Sequence, residues 1–260
     1  MEKRIEKIGV LDSGLGGLTV VRELERILPN ENIVYFGDNA NCPYGNRPRD
    51  EILDLSCAML DFMQKQGVKA VAIACNTIST LIQELREHYR FPIVSIIEEA
   101  CKYVAGEELA QVGVFATEFT IREGLYTALI GQLRPETKVF GVSSRTLASL
   151  VDGGCFDGGE TLEEVTSMLG KMRPELKHIV LGCTHYPIVR DLFEKVAPDI
   201  TFINPAAVQA EAVKALLAGR GLLNNAPQPS LDIYTSGEKQ PYEAAIKKLG
   251  ISRPLTITIT

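Results

Sequence analysis

Two cysteines of the chain stand in matching local sequences, Cys75 within Ala-Cys-Asn-Thr and Cys183 within Gly-Cys-Thr-His. Each follows a short apolar run that is typical of a buried strand and precedes the start of a helical pattern. A thiol at a helix N-terminus feels the positive end of the helix dipole, which predicts a pKa below its usual value of about 8.5. A single such cysteine is more often a small buried apolar residue, whereas two in equivalent turns indicate chemistry.

An opposed pair of thiols suits the inversion of a stereocentre by proton transfer, because a planar carbanion needs a base on one face and an acid on the other. Each thiol has a candidate helper that could take its proton or stabilise its thiolate, namely Asp12 for Cys75 and His185 for Cys183. The alternative for His185 is a structural histidine in a turn. We therefore consider Cys75, Cys183, Asp12 and His185 the candidate catalytic residues.

The other four cysteines lack such a context. Cys57 and Cys101 fall in helical patterns, Cys155 lies in a glycine-rich loop, and Cys42 lies in a turn with no partner that the sequence identifies. Metal binding at the Cys-Thr-His motif is a further alternative, but a third and a fourth ligand at a matching spacing are missing. We therefore predict no metal and no other cofactor.

The glycine-rich segment Asp12–Gly17 offers a different function class, a phosphate- or nucleotide-binding module with structural cysteines. Its Gly-x-Gly-x-x-Thr pattern lacks the last small residue of the dinucleotide fingerprint, and the sequence contains no Gly-Lys-Ser/Thr phosphate loop. We interpret the glycines instead as residues of a tight strand-to-helix turn that permit unusual backbone dihedrals. Helix N-capping is the structural alternative for Asp12 and Ser13.

Apolar runs of strand length alternate with helical patterns such as Leu18–Leu28 and Asp50–Gln66, and we expect the second helix to end at Gly67. This alternation predicts βαβ units and an α/β fold with largely parallel sheets. Ligands of such sheets bind beyond the carboxyl ends of the strands, where the candidate residues stand. The predicted strands are Ile8–Leu11, Ile33–Phe36, Ala70–Ala74, Ile93–Ile96, Val112–Phe115, Val139–Val142, Ile179–Leu181, Thr201–Ile203 and Leu231–Tyr234.

Three segments recur in the same order at a nearly constant offset, which indicates two related α/β halves. Ile8–Asp12 matches Val112–Ala116, Lys69–Thr77 matches Lys177–His185, and Pro92–Ile96 matches Pro198–Phe202. A chance likeness between apolar strands is the alternative. We expect two pseudo-symmetric domains with the active site in the cleft between them. The first comprises residues 1–97 and a returning tail, 207–260, and the second comprises residues 98–206.

Composition and net charge limit the class of protein and the kinds of partner that it can bind. Apolar residues make up 45% and charged residues 23% of the 260 residues, which excludes a disordered or fibrous chain. The net charge of −6, without a long block of Lys and Arg, argues against nucleic acid and acidic membranes. No apolar run approaches the roughly 20 residues of a membrane span, and Met1–Lys7 leads into no signal-peptide core. We expect a cytoplasmic protein without disulfides.

Several motifs together resemble the signatures of the bacterial glutamate racemases, in the aspartate/glutamate racemase family. They are Leu11–Thr19, Pro43–Gly45, Ala74–Thr77, Thr117–Thr120, Leu150–Val151, Leu181–Pro187 and Tyr234–Gly237. The resemblance implies a cofactor-independent racemase of two pseudo-symmetric α/β domains that supplies D-glutamate for peptidoglycan. It also implies a small-molecule substrate, and a homodimer because members of the family often form one.

The resemblance further implies roles for individual residues. Cys75 corresponds to the cysteine that takes the α-proton of D-glutamate, Cys183 to the one that takes it from L-glutamate, and Asp12 and His185 to their respective helpers. The residues that correspond to those holding the amino and carboxylate groups of the substrate are Asp12, Ser13, Tyr44, Gly45, Asn76, Thr77, Thr117, Thr184 and His185.

The chain departs from the family pattern next to this site. Asp152 stands where the family usually has a glutamate that is thought to orient the catalytic histidine, and its side chain is one methylene shorter. The sequence leaves open whether it reaches His185. It also leaves an aspartate or related amino-acid racemase as the alternative, because two thiols do not fix the length of the substrate's side chain.

Overall fold

The structure, a computed structural model, describes residues 6–225 and 228–260. Residues 1–5 lie outside the described residues. They make up most of Met1–Lys7, the segment for which we expect no signal peptide. Strands and helices alternate along the chain. The strands are β1 Lys7–Asp12, β2 Ile33–Gly37, β3 Val68–Ile73, β4 Ile93–Ser95, β5 Gln111–Thr117, β6 Lys138–Ser144, β7 His178–Gly182, β8 Thr201–Ile203, β9 Leu231–Thr235 and β10 Leu255–Ile259. The helices are α1 Leu18–Ile27, α2 Arg49–Gln66, α3 Asn76–Ser79, α4 Ile82–His88, α5 Ile96–Gly106, α6 Glu118–Glu123, α7 Leu125–Leu133, α8 Leu147–Asp152, α9 Gly159–Gly170, α10 Arg190–Val196, α11 Pro205–Gly219 and α12 Lys239–Leu249.

The strands form two sheets in which every pairing is parallel. The first sheet has the order β10-β9-β2-β1-β3-β4 and the second has the order β6-β5-β7-β8. The second order repeats the β2-β1-β3-β4 portion of the first, so strands that match in sequence occupy corresponding places in the two sheets. The predicted fold class, two parallel-sheet α/β domains, is confirmed.

The C-terminal segment returns to the first sheet and adds β9 and β10 to its edge. Helix α11 leads back from the second sheet and packs on α1 and α5. Its buried Gln209 donates from Nε2 to the carbonyl oxygens of Ile73 and Val94, at 2.8 and 2.9 Å. These bonds tie the connecting helix to β3 and β4, whose carboxyl ends lie close to the candidate residues.

Strand β10 is absent from our sequence prediction. Its Thr-Ile-Thr-Ile alternation lies at the edge of the first sheet, with every side chain partly or fully exposed. Continuous apolar runs are typical of strands that are buried on both faces. Such runs therefore indicate the central strands but not an edge strand.

Helix α2 ends, as predicted, at Gly67, which has a left-handed conformation with a φ of 68°. None of the helices in the described ranges combines the length and the apolar content of a membrane-spanning segment.

Candidate active site

The carboxyl ends of the central strands of both sheets meet at one narrow pocket. Strands β1 and β3 lead into one wall, and β5 and β7 lead into the opposite wall. The pocket is lined by Ser13, Cys42, Pro43, Tyr44, Gly45, Cys75, Asn76, Thr77, Thr117, Ala148, Cys183, Thr184 and His185. Every residue that we single out as catalytic or substrate-binding is in this set except Asp12, which is buried behind the wall. The structure thus brings the two thiols into one pocket from two domains.

The first thiol belongs to Cys75, which immediately precedes the short helix α3. Its Sγ lies 3.5 Å from Oγ of Ser13. Burial and, to a smaller extent, the nearby charge of Asp12 raise the pKa of the Cys75 thiol to about 12, although hydrogen bonds with Ser13 and with the backbone of Ile78 oppose this. The prediction of a lowered pKa is therefore wrong for Cys75. A four-residue helix has a small dipole, and desolvation of the thiolate outweighs it.

The second thiol belongs to Cys183 and is paired with a histidine. Its Sγ lies 3.7 Å from Nδ1 of His185, and Nε2 of His185 lies 2.9 Å from Oδ1 of Asp152. Asp152 therefore reaches the histidine despite its shorter side chain. The segment that follows the thiol, Tyr186–Val189, is a 3₁₀ turn.

The buried side chains of His185 and Asp152 each stabilise the charged form of the other. Burial alone lowers the pKa of His185, but hydrogen bonds with Asp152 and Cys183 and their charges raise it well above its usual value. Burial alone raises the pKa of Asp152, but the bond to His185 and its charge hold that pKa below its usual value. An imidazolium facing a carboxylate is therefore the favoured state of this pair near neutral pH.

Asp12 connects the first domain to the turn that carries the second thiol. Its Oδ2 accepts a hydrogen bond from the Thr184 hydroxyl at 2.9 Å, and its Oδ1 accepts one from the backbone N–H of Gly14 at 3.0 Å. Complete burial raises the pKa of Asp12 to about 6. The N-cap position of α1 is Gly17, so the N-capping alternative is wrong for Asp12 and Ser13.

The glycines that follow β1 are required by close packing. None of Gly14, Gly16 and Gly17 has a φ in the left-handed region, so our interpretation of unusual dihedrals is wrong. A Cβ on Gly14 would lie 2.2 Å from Oδ1 of Asp152, and a Cβ on Gly16 would lie 2.5 Å from Oγ1 of Thr184. The turn therefore packs against the segment of the other domain that contains Thr184 and His185. This occupied surface does not favour the alternative of a phosphate-binding turn.

Hydroxyl groups of Thr77 and Thr117 join the two walls of the pocket. The Oγ1 atoms of Thr77 and Thr117 are 3.1 Å apart, and Oγ1 of Thr117 is 3.0 Å from that of Thr120. A Cβ on Gly45 would lie 2.7 Å from Cβ of Thr117, so the absence of a side chain at Gly45 permits this contact. Thr77 and Thr117 can therefore present hydroxyl groups to a ligand from opposite domains.

One buried amide in the pocket wall is only partly satisfied. Oδ1 of Asn76 accepts a hydrogen bond from the Tyr126 hydroxyl at 2.8 Å. Among the described residues, Nδ2 of Asn76 has no hydrogen-bond partner. Leaving a buried donor unpaired costs about 1–3 kcal/mol, which an acceptor on a ligand would recover. Sequence reasoning misses Tyr126, because it has the pattern of an apolar residue in a helix.

Three further residues lie in the pocket wall or next to it, namely Tyr44, Asn39 and Cys42. The Tyr44 hydroxyl donates to Asp38 at 2.7 Å, so the side chain anchors its loop and a ligand contact would come from the backbone of this residue. Asn39 donates from Nδ2 to Oδ2 of Asp152 at 2.8 Å, a contact that no local motif indicates. Cys42, for which the sequence identifies no partner, lies in the pocket wall.

The chain resembles known proteins over nearly its whole length. Residues 8–213 match the sequence model of the Asp/Glu/Hydantoin racemase family. A glutamate racemase of Carboxydothermus hydrogenoformans is 36% identical over 253 residues, 96% of this chain and 92% of the relative. Crystal structures of a glutamate racemase isoform from Bacillus anthracis and of glutamate racemase from Francisella tularensis in complex with D-glutamate each superimpose with a TM-score of 0.89, at 30% and 31% identity. Both comparisons cover 98% of this chain, and 98% and 97% of the respective structures.

Proposed function

Because the chain belongs to the Asp/Glu/Hydantoin racemase family, we propose that it interconverts L- and D-glutamate by moving the α-proton between Cys75 and Cys183. The observation that carries this proposal is that the two thiols come from corresponding turns of the two domains and line one pocket. The names of the relatives, and the D-glutamate bound to one of the similar structures, support glutamate over aspartate.

In the direction from L to D, Cys183 acts as the base. Nδ1 of His185 faces its Sγ and holds the proton that the thiol has released, and Asp152 stabilises this imidazolium through Nε2. The Cys183 thiolate then removes the α-proton. The Cys75 thiol donates its own proton to the opposite face of the carbanion. Its raised pKa suits this step, because it keeps Cys75 protonated at neutral pH.

In the direction from D to L, Cys75 must become the base. The ammonium group of a bound amino acid lowers the pKa of a nearby thiol, because an opposite charge favours the thiolate. The Asp12 carboxylate, with a pKa of about 6, is ionised at neutral pH, and in this proposal it acts as the general base that accepts the Cys75 proton. Cys183 then donates the proton to the other face of the carbanion.

Neutral groups hold the substrate in this proposal. The pocket wall carries the hydroxyls of Ser13, Thr77 and Thr117 and the unpaired amide donor of Asn76, and no Lys or Arg is among the described residues that line it. Such donors match the two carboxylates of glutamate without a bulky cation near the reacting carbon. We further propose that D-glutamate from this reaction supplies peptidoglycan synthesis. The requirement for two reduced thiols fits a cytoplasmic location, and a homodimer stays a prediction.

The function is tested in deuterated water. The protein is treated with a metal chelator, its thiols are fully reduced, and L-glutamate is added without a cofactor. The optical activity of the glutamate should then disappear while deuterium enters its Cα. Polarimetry and mass spectrometry follow the two changes, with L-aspartate as the parallel substrate. Absence of both changes with glutamate would refute the racemase proposal. Faster turnover of aspartate would instead establish the alternative substrate class.

Tyr126→Phe should weaken substrate binding. Loss of the hydroxyl leaves Oδ1 of Asn76 unpaired and frees the amide to rotate, so that Nδ2 no longer points reliably into the pocket. In this proposal Nδ2 donates to a carboxylate of the substrate, a hydrogen bond that contributes about 1.5–3 kcal/mol, so its loss predicts a KM for glutamate at least about 10-fold higher, with a smaller effect on kcat. Initial-rate kinetics measure both constants. Tyr103→Phe, on a partly exposed side chain of α5, is the matched control. An unchanged KM in Tyr126→Phe would contradict the positioning role.

A further inference from the structure

Cys42 contributes a thiol to the pocket wall that the proposed mechanism uses in no step. Its Sγ, a carboxylate oxygen of Asp152 and a ring nitrogen of His185 all lie within 4.8 Å of one another. We propose that these three side chains form an inhibitory binding site for Zn²⁺ beside the catalytic pair. The binding stands on this geometry alone, whereas the inhibition rests on the proposed function.

The three groups are the ligand types that zinc prefers. Zinc binds cysteine thiolate, histidine nitrogen and carboxylate oxygen, and sites with three protein ligands keep a fourth position for water or another small ligand. A thiolate also selects zinc over the harder cations Mg²⁺ and Ca²⁺, which favour oxygen ligands. Because Cys42 and His185 line the pocket, the fourth position can face its interior.

The distances require little movement. Nε2 of His185 and Oδ1 of Asp152 are 2.9 Å apart. Metal–ligand bonds of about 2.0–2.2 Å in a tetrahedron place nitrogen and oxygen about 3.4 Å apart, and a sulfur bond of about 2.3 Å places Sγ about 3.6 Å from either. The ion therefore takes the place of the proton shared by His185 and Asp152. Sγ of Cys42 lies within 4.8 Å of the other two ligand atoms, so each of these distances must shorten by at most about 1.2 Å.

The charges of the cluster balance those of the ion. The Cys42 thiol releases its proton, His185 releases the Nε2 proton, and both protons pass to solvent. The thiolate and the Asp152 carboxylate then neutralise the two positive charges of Zn²⁺, so no net charge is buried. Burial and the charge of Asp152 raise the pKa of the free Cys42 thiol, so this residue is protonated until a metal ligates it.

The surroundings of the carboxylate hold it in a position to ligate. Oδ1 of Asp152 accepts from the backbone N–H of Leu15 at 2.9 Å, and Oδ2 accepts from Nδ2 of Asn39 at 2.8 Å. A Cβ on Gly14 would lie 2.2 Å from Oδ1 of Asp152 and 3.2 Å from Sγ of Cys42, so the absence of a side chain there leaves the space between the two ligands open. Such outer hydrogen bonds fix the orientation of metal ligands.

Zinc at this position stops the proposed reaction. With Nε2 bound to the ion, the neutral ring of His185 keeps its one proton on Nδ1, and its contact with a free carboxylate is lost. His185 can then no longer accept the proton of Cys183. The expected result is inhibition by Zn²⁺ that a chelator fully reverses.

The test uses Co²⁺ and Zn²⁺ on the full-length chain after chelator treatment. In the wild type, one equivalent of Co²⁺ should produce thiolate-to-cobalt charge-transfer absorption, and Zn²⁺ should displace it. Cys42→Ala and the nearly isosteric Cys42→Ser should lose this absorption and bind Zn²⁺ at least about 100-fold more weakly. Cys155→Ala, which removes an exposed thiol, should behave as the wild type. Circular dichroism establishes that each variant is folded.

Activity measurements complete the test. Zn²⁺ should inhibit the wild type and Cys155→Ala, whereas Cys42→Ala should keep its metal-free rate when Zn²⁺ is added. Unchanged cobalt absorption and inhibition in both Cys42 variants would overturn the proposal, because the ion would then lie on Cys75 and Cys183. Absence of cobalt absorption in the wild type would overturn it as well. The absorption needs no turnover, so a chain that binds cobalt through Cys42 but racemises nothing would refute the proposed function and leave the site standing.

Discussion

Serine in place of Cys75 or of Cys183 should stop racemisation in both directions, with kcat/KM for glutamate about 10²–10⁴-fold lower for each variant. Each direction uses one thiol as base and the other as acid, so neither direction survives the loss of either. A serine hydroxyl is a far weaker acid than a thiol and forms no useful anion near neutral pH. Polarimetry with each enantiomer measures the loss.

A loss of activity through missing chemistry must be distinguished from a loss through unfolding in the two cysteine variants. Both sulfurs are buried, but serine is nearly isosteric with cysteine, so melting temperatures should stay close to that of the wild type. Cys155→Ser, on an exposed loop residue, controls for the loss of any thiol. Wild-type activity in either Cys75→Ser or Cys183→Ser would refute a mechanism that needs two thiols.

Asp12→Asn and Asp152→Asn should both lower activity but change stability in opposite directions. The raised pKa of Asp12 means that its charge destabilises the folded state above pH 6, by about 3 kcal/mol relative to pH below 3.8. Asparagine removes that cost, so Asp12→Asn should raise the free energy of unfolding at pH 8. The lowered pKa of Asp152 means that its charge stabilises the folded state at neutral pH, so Asp152→Asn should reduce that free energy.

Denaturant titration at pH 8 measures both changes, and each variant serves as the control for the other. Activity should fall about 10²-fold or more in Asp12→Asn, because a group that assists proton transfer is lost. In the wild type, kcat/KM in the direction from D to L should decrease below about pH 6 as Asp12 takes up a proton, and Asp12→Asn should lack this decrease. Equal destabilisation by the two substitutions would contradict the cost that we assign to burying Asp12.

Local sequence identifies the part of the site that follows the strands. The turns that carry Cys75, Cys183 and His185 stand directly after apolar runs, and in a parallel sheet such turns meet at one edge. The repeat of these runs then predicts two similar sheets, which the structure contains. These features depend on short motifs and on periodicity, so a single sequence is enough to find them.

Contacts between the domains cannot be predicted from short motifs and periodicity. Tyr126 and Asn39 act on Asn76 and Asp152 from elements that are distant in sequence, so no spacing predicts either contact. The close approach of Gly14 to Asp152 is equally non-local. The pKa of Cys75 is predicted in the wrong direction because the sequence suggests a helix N-terminus but does not show how completely the thiol is buried.

The central claim is that two different thiols act on opposite faces of the substrate, and isotope distribution at early conversion tests it most directly. The wild-type enzyme is given L-glutamate in deuterated water, and the reaction is stopped before a tenth of the substrate is converted. Separated on a chiral column, the D-glutamate should carry deuterium at Cα in nearly every molecule, while the remaining L-glutamate should carry almost none. D-glutamate that retains the substrate's own hydrogen would show that one base both removes and returns the proton, and would contradict the two-thiol mechanism.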